Sequence, residues 1–249
     1  MPNLMRTSNP ALNPKAFEGA ITGGEVMTLQ GTVNKTGLLL VCAVLTAVWT
    51  WSRFMHAGMD AVALPVMGGL VAGFIMAMVT IFKKEWSPVT APIYALLEGF
   101  VLGGVSAAFE VRFPGIAIEA VSLTFGTLIV LLLAYRSGLI PVTQKFRLGV
   151  VAATGGIALI YLLTMVLGFF HVQLFSSIYQ SGAIGIGFSV FVVIIAALNL
   201  VLDFDFIEAG ARMGAPKYME WYSAFGLMVT LIWLYLEILR LLSKLGSRR

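Results

Sequence analysis

Seven predominantly apolar runs, separated by short polar breaks, organise this chain at about residues 36–56, 61–82, 91–110, 116–136, 148–170, 182–204 and 220–242. A transmembrane helix needs about 20 apolar residues, and each run reaches that length. The pattern predicts an all-α, polytopic membrane protein built as a bundle of seven transmembrane helices, with no room for a second globular domain. Residues 1–35, MPNLMRTSNPALNPKAF onward, are polar and carry Pro, Asn and Gly without the apolar core of a secretory signal. They read as a flexible N-terminal tail, followed by a membrane domain at 36–243 whose first span is an uncleaved anchor, and then by a basic C-terminal tail at 244–249. Small residues form stripes at Gly68, Gly69 and Gly73 in the second run and at Gly99, Gly103 and Gly104 in the third. Their expected use is close helix packing, because lipid provides no hydrophobic drive between helices. Gly182, Gly185 and Gly187 lie where the sixth run begins and are compatible with either packing or a local unwinding.

Composition strengthens this picture. Apolar residues make up 59% of the chain and charged residues 11%, against roughly half and a quarter in soluble proteins, and the mean hydropathy is +0.94. So few charges leave a compact surface that only lipid can solvate. The net charge of +4 comes from Lys and Arg scattered between the apolar runs, not from a basic patch, which argues against a nucleic-acid partner. Those residues report topology instead. Ten (Arg6, Lys15, Lys35, Lys83, Lys84, Arg136, Lys145, Arg147, Arg212 and Lys217) fall on one side, and six (Arg53, Arg112, Arg240, Lys244, Arg248 and Arg249) fall on the other. The positive-inside rule then places the N-terminus in the cytoplasm and the C-terminus outside. Cys42 is the single cysteine, so the chain has no internal disulfide and no cysteine metal site.

Polar and ionisable residues at membrane depth are the candidate chemistry, because an uncompensated acid there costs several kcal/mol and marks a pathway. Five positions qualify: Glu98 in YALLEGFVLGG, Asn199, Asp203 and Asp205 in NLVLDFDFIE, and Glu237 in WLYLEILR. Asn199 and Asp203 are four apart and share a helical face, whereas Asp205 pairs by spacing with Glu208. Each has a structural reading beside the functional one. Glu98 fastens its helix as a buried carboxyl, Asp205 and Glu208 form a solvated helix end, and Glu237 pairs with Arg240 one turn on. Carboxylate, amide and water oxygens are the hard ligands that Ca²⁺ takes, and two crowded carboxyls share a proton. His56 and His171 lie near the outer boundary, and no HExxH, CxxC, GxSxG or phosphate-loop pattern occurs, so no catalytic group and no resident cofactor are expected. An intramembrane aspartyl protease would need a second aspartate facing Asp203 in the seventh span, and there is none.

The order and spacing of VLDFDFIE, KKEWSPVTAPIYALLEGFVLGG and APKYMEWYSAFGLMVTLIWLYLEILRLL resemble the transmembrane Bax-inhibitor motif family, the Bax inhibitor/YccA-like proteins, over everything after the tail. The resemblance implies a seven-helix bundle with the last helix central, in a bacterial inner membrane. It also implies a pH-sensitive Ca²⁺ leak gated by two carboxyls on the sixth and seventh helices, with a basic latch on the second. Asp203 matches the first carboxyl. Glu237 takes the place of an aspartate, since the run reads LYLE where relatives read LYLD, and Lys83 matches the latch. Glu98, Asn199 and Asp205 rank behind them. Another role known in the family, contact with a membrane protease in quality control or stress response, needs no ion site.

Overall fold

A backbone amide in hydrocarbon has no water to bond to, so an apolar run must close its own hydrogen bonds as a helix. In the computed structural model, which describes residues 25–170 and 176–248, all seven runs do so. Residues 1–24, most of the expected tail, lie outside the described residues, as does His171. The helices are α1 (Leu29–Ala57), α2 (Ala63–Phe82), α3 (Ser87–Arg112), α4 (Ile116–Arg136), α5 (Gln144–Phe169), the single turn α6 (Ser176–Tyr179), α7 (Ala183–Arg212) and α8 (Met219–Gly246). The sixth and seventh apolar runs are thus α7 and α8.

Most helices outrun the apolar stretches that announce them. α1 starts at Leu29 rather than 36, α3 at Ser87 rather than 91, α5 at Gln144 rather than 148, and α7 continues to Arg212 rather than 204. Hydropathy reports the thickness of hydrocarbon, whereas a helix ends where its terminal amides find another partner. Thr28 accepts from the amide of Gly31 at 2.9 Å and Thr143 from that of Phe146 at 3.2 Å, so both helices are capped outside the apolar stretch. Pro88 opens α3, where its missing N–H costs nothing.

Successive helices alternate in direction between two faces of the bundle. The near face carries the start of α1, the α2–α3, α4–α5 and α7–α8 turns, and an isolated antiparallel bridge between Val26 and Pro216. There the Met27 amide donates to the Ala215 carbonyl at 2.7 Å, and the Ser87 hydroxyl to the Tyr218 carbonyl at 3.0 Å. On the far face Lys244 reaches the carbonyls of Ile178 and Gly185, so the end of α8 lies opposite the start of α1. The seventh run is therefore a full pass and not a re-entrant segment.

α8 is the central helix. It packs on α1, α3, α4 and α7, and 56% of its most apolar stretch is buried, against 11% for the peripheral α5. The small-residue stripe of α3 lets helices approach closely. A Cβ at Gly99 or Gly103 would collide with the backbone of α1 at Ala43 and Ala47, and one at Gly104 would stand 2.5 Å from Val66 of α2. The other stripes are used only in part: Gly69 abuts the Leu97 carbonyl, while Gly68, Gly182 and Gly187 face open space.

A polar seam along the fifth helix

The inner face of α5 repeats every seven residues, near the two-turn period of a helix. Arg147, Thr154 and Tyr161 supply polar groups, and Val150 and Ile157, at 4% and 2% exposure, supply the apolar steps between them. Each polar position meets a residue on α7 or α8. The Arg147 guanidinium is ion-paired with Asp205. Asn199 donates from Nδ2 to Thr154 Oγ1 at 2.8 Å and also to the Ile195 carbonyl at 2.8 Å. Tyr161 donates to Glu237 Oε1 at 2.8 Å and accepts from Arg240 at 2.7 Å, while Arg240 donates to both Glu237 oxygens at 2.9 and 3.1 Å. α5 thereby collects Asn199, Asp205 and Glu237 along one seam. Asp203, at 1% exposure, lies between the levels of Asn199 and Asp205, on the face it shares with Asn199.

The seam continues toward the far face. Lys244, two turns beyond Glu237 on α8, is 5% exposed and donates to Ile178 O at 2.7 Å, Gly185 O at 3.0 Å and Ser189 Oγ at 2.8 Å. These contacts fix the antiparallel register of α7 and α8. Counting seven residues back from Lys244 and seven forward from Gly185 and Ser189 sets Glu237 level with residues 192–196. Asp203 is seven to eleven residues nearer the near face, an axial offset of roughly 10–17 Å at 1.5 Å per residue. Asp203 and Glu237 thus occupy two stations of the seam, and the contacts of Glu237 are with Tyr161 and Arg240. The ion pair expected from the spacing of Glu237 and Arg240 is present, with Tyr161 added from a helix remote in sequence.

Three sequence expectations change. Asp205 is not a solvated helix end: its side chain is 18% exposed and held by Arg147, while Glu208 accepts from Tyr135 of α4 and pairs with Arg212 at 3.4 Å. Lys83 is exposed at the end of α2, and it is Lys84 that turns inward, with Nζ 5.8 Å from the ring centre of Tyr222 on α8. The cation paired with Asp205 of α7 is Arg147, from α5. Glu98 lies further along its helix than the apolar run implied, because α3 starts at Ser87 and eleven residues of helix span about 16 Å. It is half-buried and accepts from Tyr94 within its own helix at 3.1 Å, away from the seam.

A second cluster went unnoticed in the sequence. Glu220 in the first turn of α8 is fully buried and accepts from the Thr28 amide at 2.9 Å and the Thr28 hydroxyl at 2.8 Å. It is also ion-paired with Lys35 and, at 3.2 Å, with Lys217. A Cβ at Gly31 would collide with its carboxylate, so glycine is what admits the acid beside α1. This clamp ties the start of α1 to the α7–α8 corner. The signal for the seam was present as the seven-residue spacing of Arg147, Thr154 and Tyr161, whereas of the partners of Glu220 only Lys217 is near in sequence and Lys35 and Thr28 lie 185 and 192 residues away.

Among the described residues no group of three or more His, Cys, Asp or Glu is placed to hold a metal ion. The seam offers oxygen ligands in a row rather than a closed cage. Neither the curated proteins nor the solved structures provide a match to this chain. Residues 7–247 match the family described as Bax inhibitor 1 like, nearly the whole length. Together with seven helices long and apolar enough to cross a membrane, that match makes the chain an integral membrane protein of the Bax inhibitor 1-like family.

Proposed function

We propose that this protein is a non-enzymatic, proton-responsive cation leak of the bacterial inner membrane, with its N-terminus in the cytoplasm and Ca²⁺ as the favoured ion. The observation that carries the reading is the polar seam. A row of carboxylate, amide and hydroxyl oxygens, Asp205, Asp203, Asn199, Thr154 and Glu237, follows α5 through the bundle. Hard oxygen donors suit Ca²⁺, and polar side chains are retained inside a membrane where they line a path. Arg147 and Arg240 close the path by pairing with the acids, and protons or cations compete with them for the carboxylates. The carboxyls on which the pH response rests are the buried Asp203, Asp205 facing Arg147, Glu208 facing Arg212 and Tyr135, and Glu237 facing Arg240, Tyr161 and Lys244.

The test is Ca²⁺ flux in proteoliposomes as a function of pH. Flux that varies with pH and is lost in Asp203→Asn supports the leak. Absence of flux at every pH supports a second reading, in which the protein regulates a membrane protease or a stress response by direct contact. That alternative is favoured by one feature of the seam: Asp205 and Glu237 are already neutralised by their arginines, as acids with a purely structural task would be.

A further inference from the structure

We infer that α5 is a lateral gate, and that the bonds made by Arg147, Thr154 and Tyr161 are its latch. The inference rests on the leak reading only for what passes when the gate opens. The helices of the core are held by close packing, α3 by its glycines against Ala43 and Ala47 of α1 and α8 by four neighbours. α5 is held differently. It packs chiefly on α7, its outward Leu148, Leu159, Leu162, Leu163 and Met165 are exposed, and nothing abuts Gly149, Gly155, Gly156 or Gly168. In lipid an apolar side chain gains nothing by facing protein rather than acyl chains, so Val150 and Ile157 contribute shape, and hydrogen bonds supply the hold.

Those bonds are the same ones that occlude the acids. Thr154 occupies Asn199, Arg147 occupies Asp205, and Tyr161 covers the Glu237–Arg240 pair. Separation of α5 from α7 and α8 breaks all three levels together and leaves polar groups on both walls. Such walls are stable only if water enters between them, because bare polar groups in hydrocarbon are costly. Opening therefore hydrates the seam and frees its oxygens for a cation in one step. α7 and α8 need not move, which agrees with the burial of Asp203 and Glu237 within the packed part of the bundle.

The experiment uses the full chain with Cys42→Ala and two spin labels in liposomes, one at Leu159→Cys on α5 and one at Val48→Cys on α1, both at exposed positions. The expected result is two separations, the longer one being the minor population. The double variant Thr154→Val with Tyr161→Phe loosens the latch without leaving a charge unpaired, and it should enlarge the longer population and Ca²⁺ flux by about tenfold. A single unchanged separation in both proteins overturns the gate. A longer population that grows while no flux occurs keeps the gate and overturns the leak. Flux that rises with no change in separation keeps the leak and overturns the gate.

Discussion

Glu220 shows what it takes to hold a carboxylate at zero exposure at the end of an apolar helix. Two Thr28 donors and two ammonium groups surround it, so its desolvation is met by short, charge-assisted bonds. Glu220→Ala leaves the mostly buried Lys35 without its anion and should cost about 3 kcal/mol, seen as a lower thermal midpoint in detergent; an unchanged midpoint would show that the clamp is ornamental. Tyr222 is the opposite case. It is fully buried, yet its hydroxyl has no hydrogen-bond partner among the described residues. Tyr222→Phe should therefore stabilise the protein by about 1 kcal/mol, the order of the desolvation an unsatisfied hydroxyl incurs. For the acids of the seam, the axial offset sets the expectation: Asp203→Asn and Glu237→Gln should shift the pH profile of flux independently, and the double variant should show the sum. A double variant no worse than either single would mean that the two carboxyls act as one unit despite the offset.

At the scale of elements, helices of similar hydropathy are held by different physics. α3 is locked to α1 at Gly99 and Gly103, where no side chain larger than hydrogen fits, whereas Gly68 on α2 faces open space. Gly103→Leu should displace α1 and lower the thermal midpoint in detergent sharply, while Gly68→Leu should leave it unchanged. Equal effects would contradict the packing described above. α5 has the hydropathy of a plain membrane span, and its attachment to the bundle is polar. Its seven-residue polar repeat is invisible to hydropathy, since Thr154 and Tyr161 barely lower the mean.

For the whole molecule, the alternation of seven passes has a direct test. Cysteine labelling from each side, in a Cys42→Ala background, should find positions in 83–90 and 137–143 on the same side as the N-terminus and positions 247–249 on the opposite side. Finding the C-terminus on the N-terminal side would overturn the seven-pass arrangement. Arg240 and Lys244 are among the six basic residues counted on the side opposite the N-terminus. Both are committed to bonds inside the bundle, with Glu237 and with Ser189 and its neighbouring carbonyls, so they do not act as free topological charges.

The sequence by itself determined the class of fold, the number of passes and the family, because each rests on runs of apolar residues and on short local motifs such as VLDFDFIE and LYLE. It also located the unusual polar residues: Asn199, Asp203 and Asp205 on one helix and Glu237 with Arg240 on the next. Only the tertiary structure decided their partners. Spacing along one helix reveals contacts three and four residues apart, and so it found Arg240 beside Glu237. It carries nothing about Tyr161, 76 residues away, or about Arg147, 58 residues from Asp205. Depth was also out of reach, because hydropathy marks the hydrocarbon boundary while caps at Thr28 and Thr143 set where α1 and α5 begin. For that reason Asp203 and Glu237 look like a pair in the motif and occupy separate stations in the bundle, and Lys83, the latch that the resemblance implies, stands exposed at the end of α2 while Arg147 of α5 pairs with Asp205.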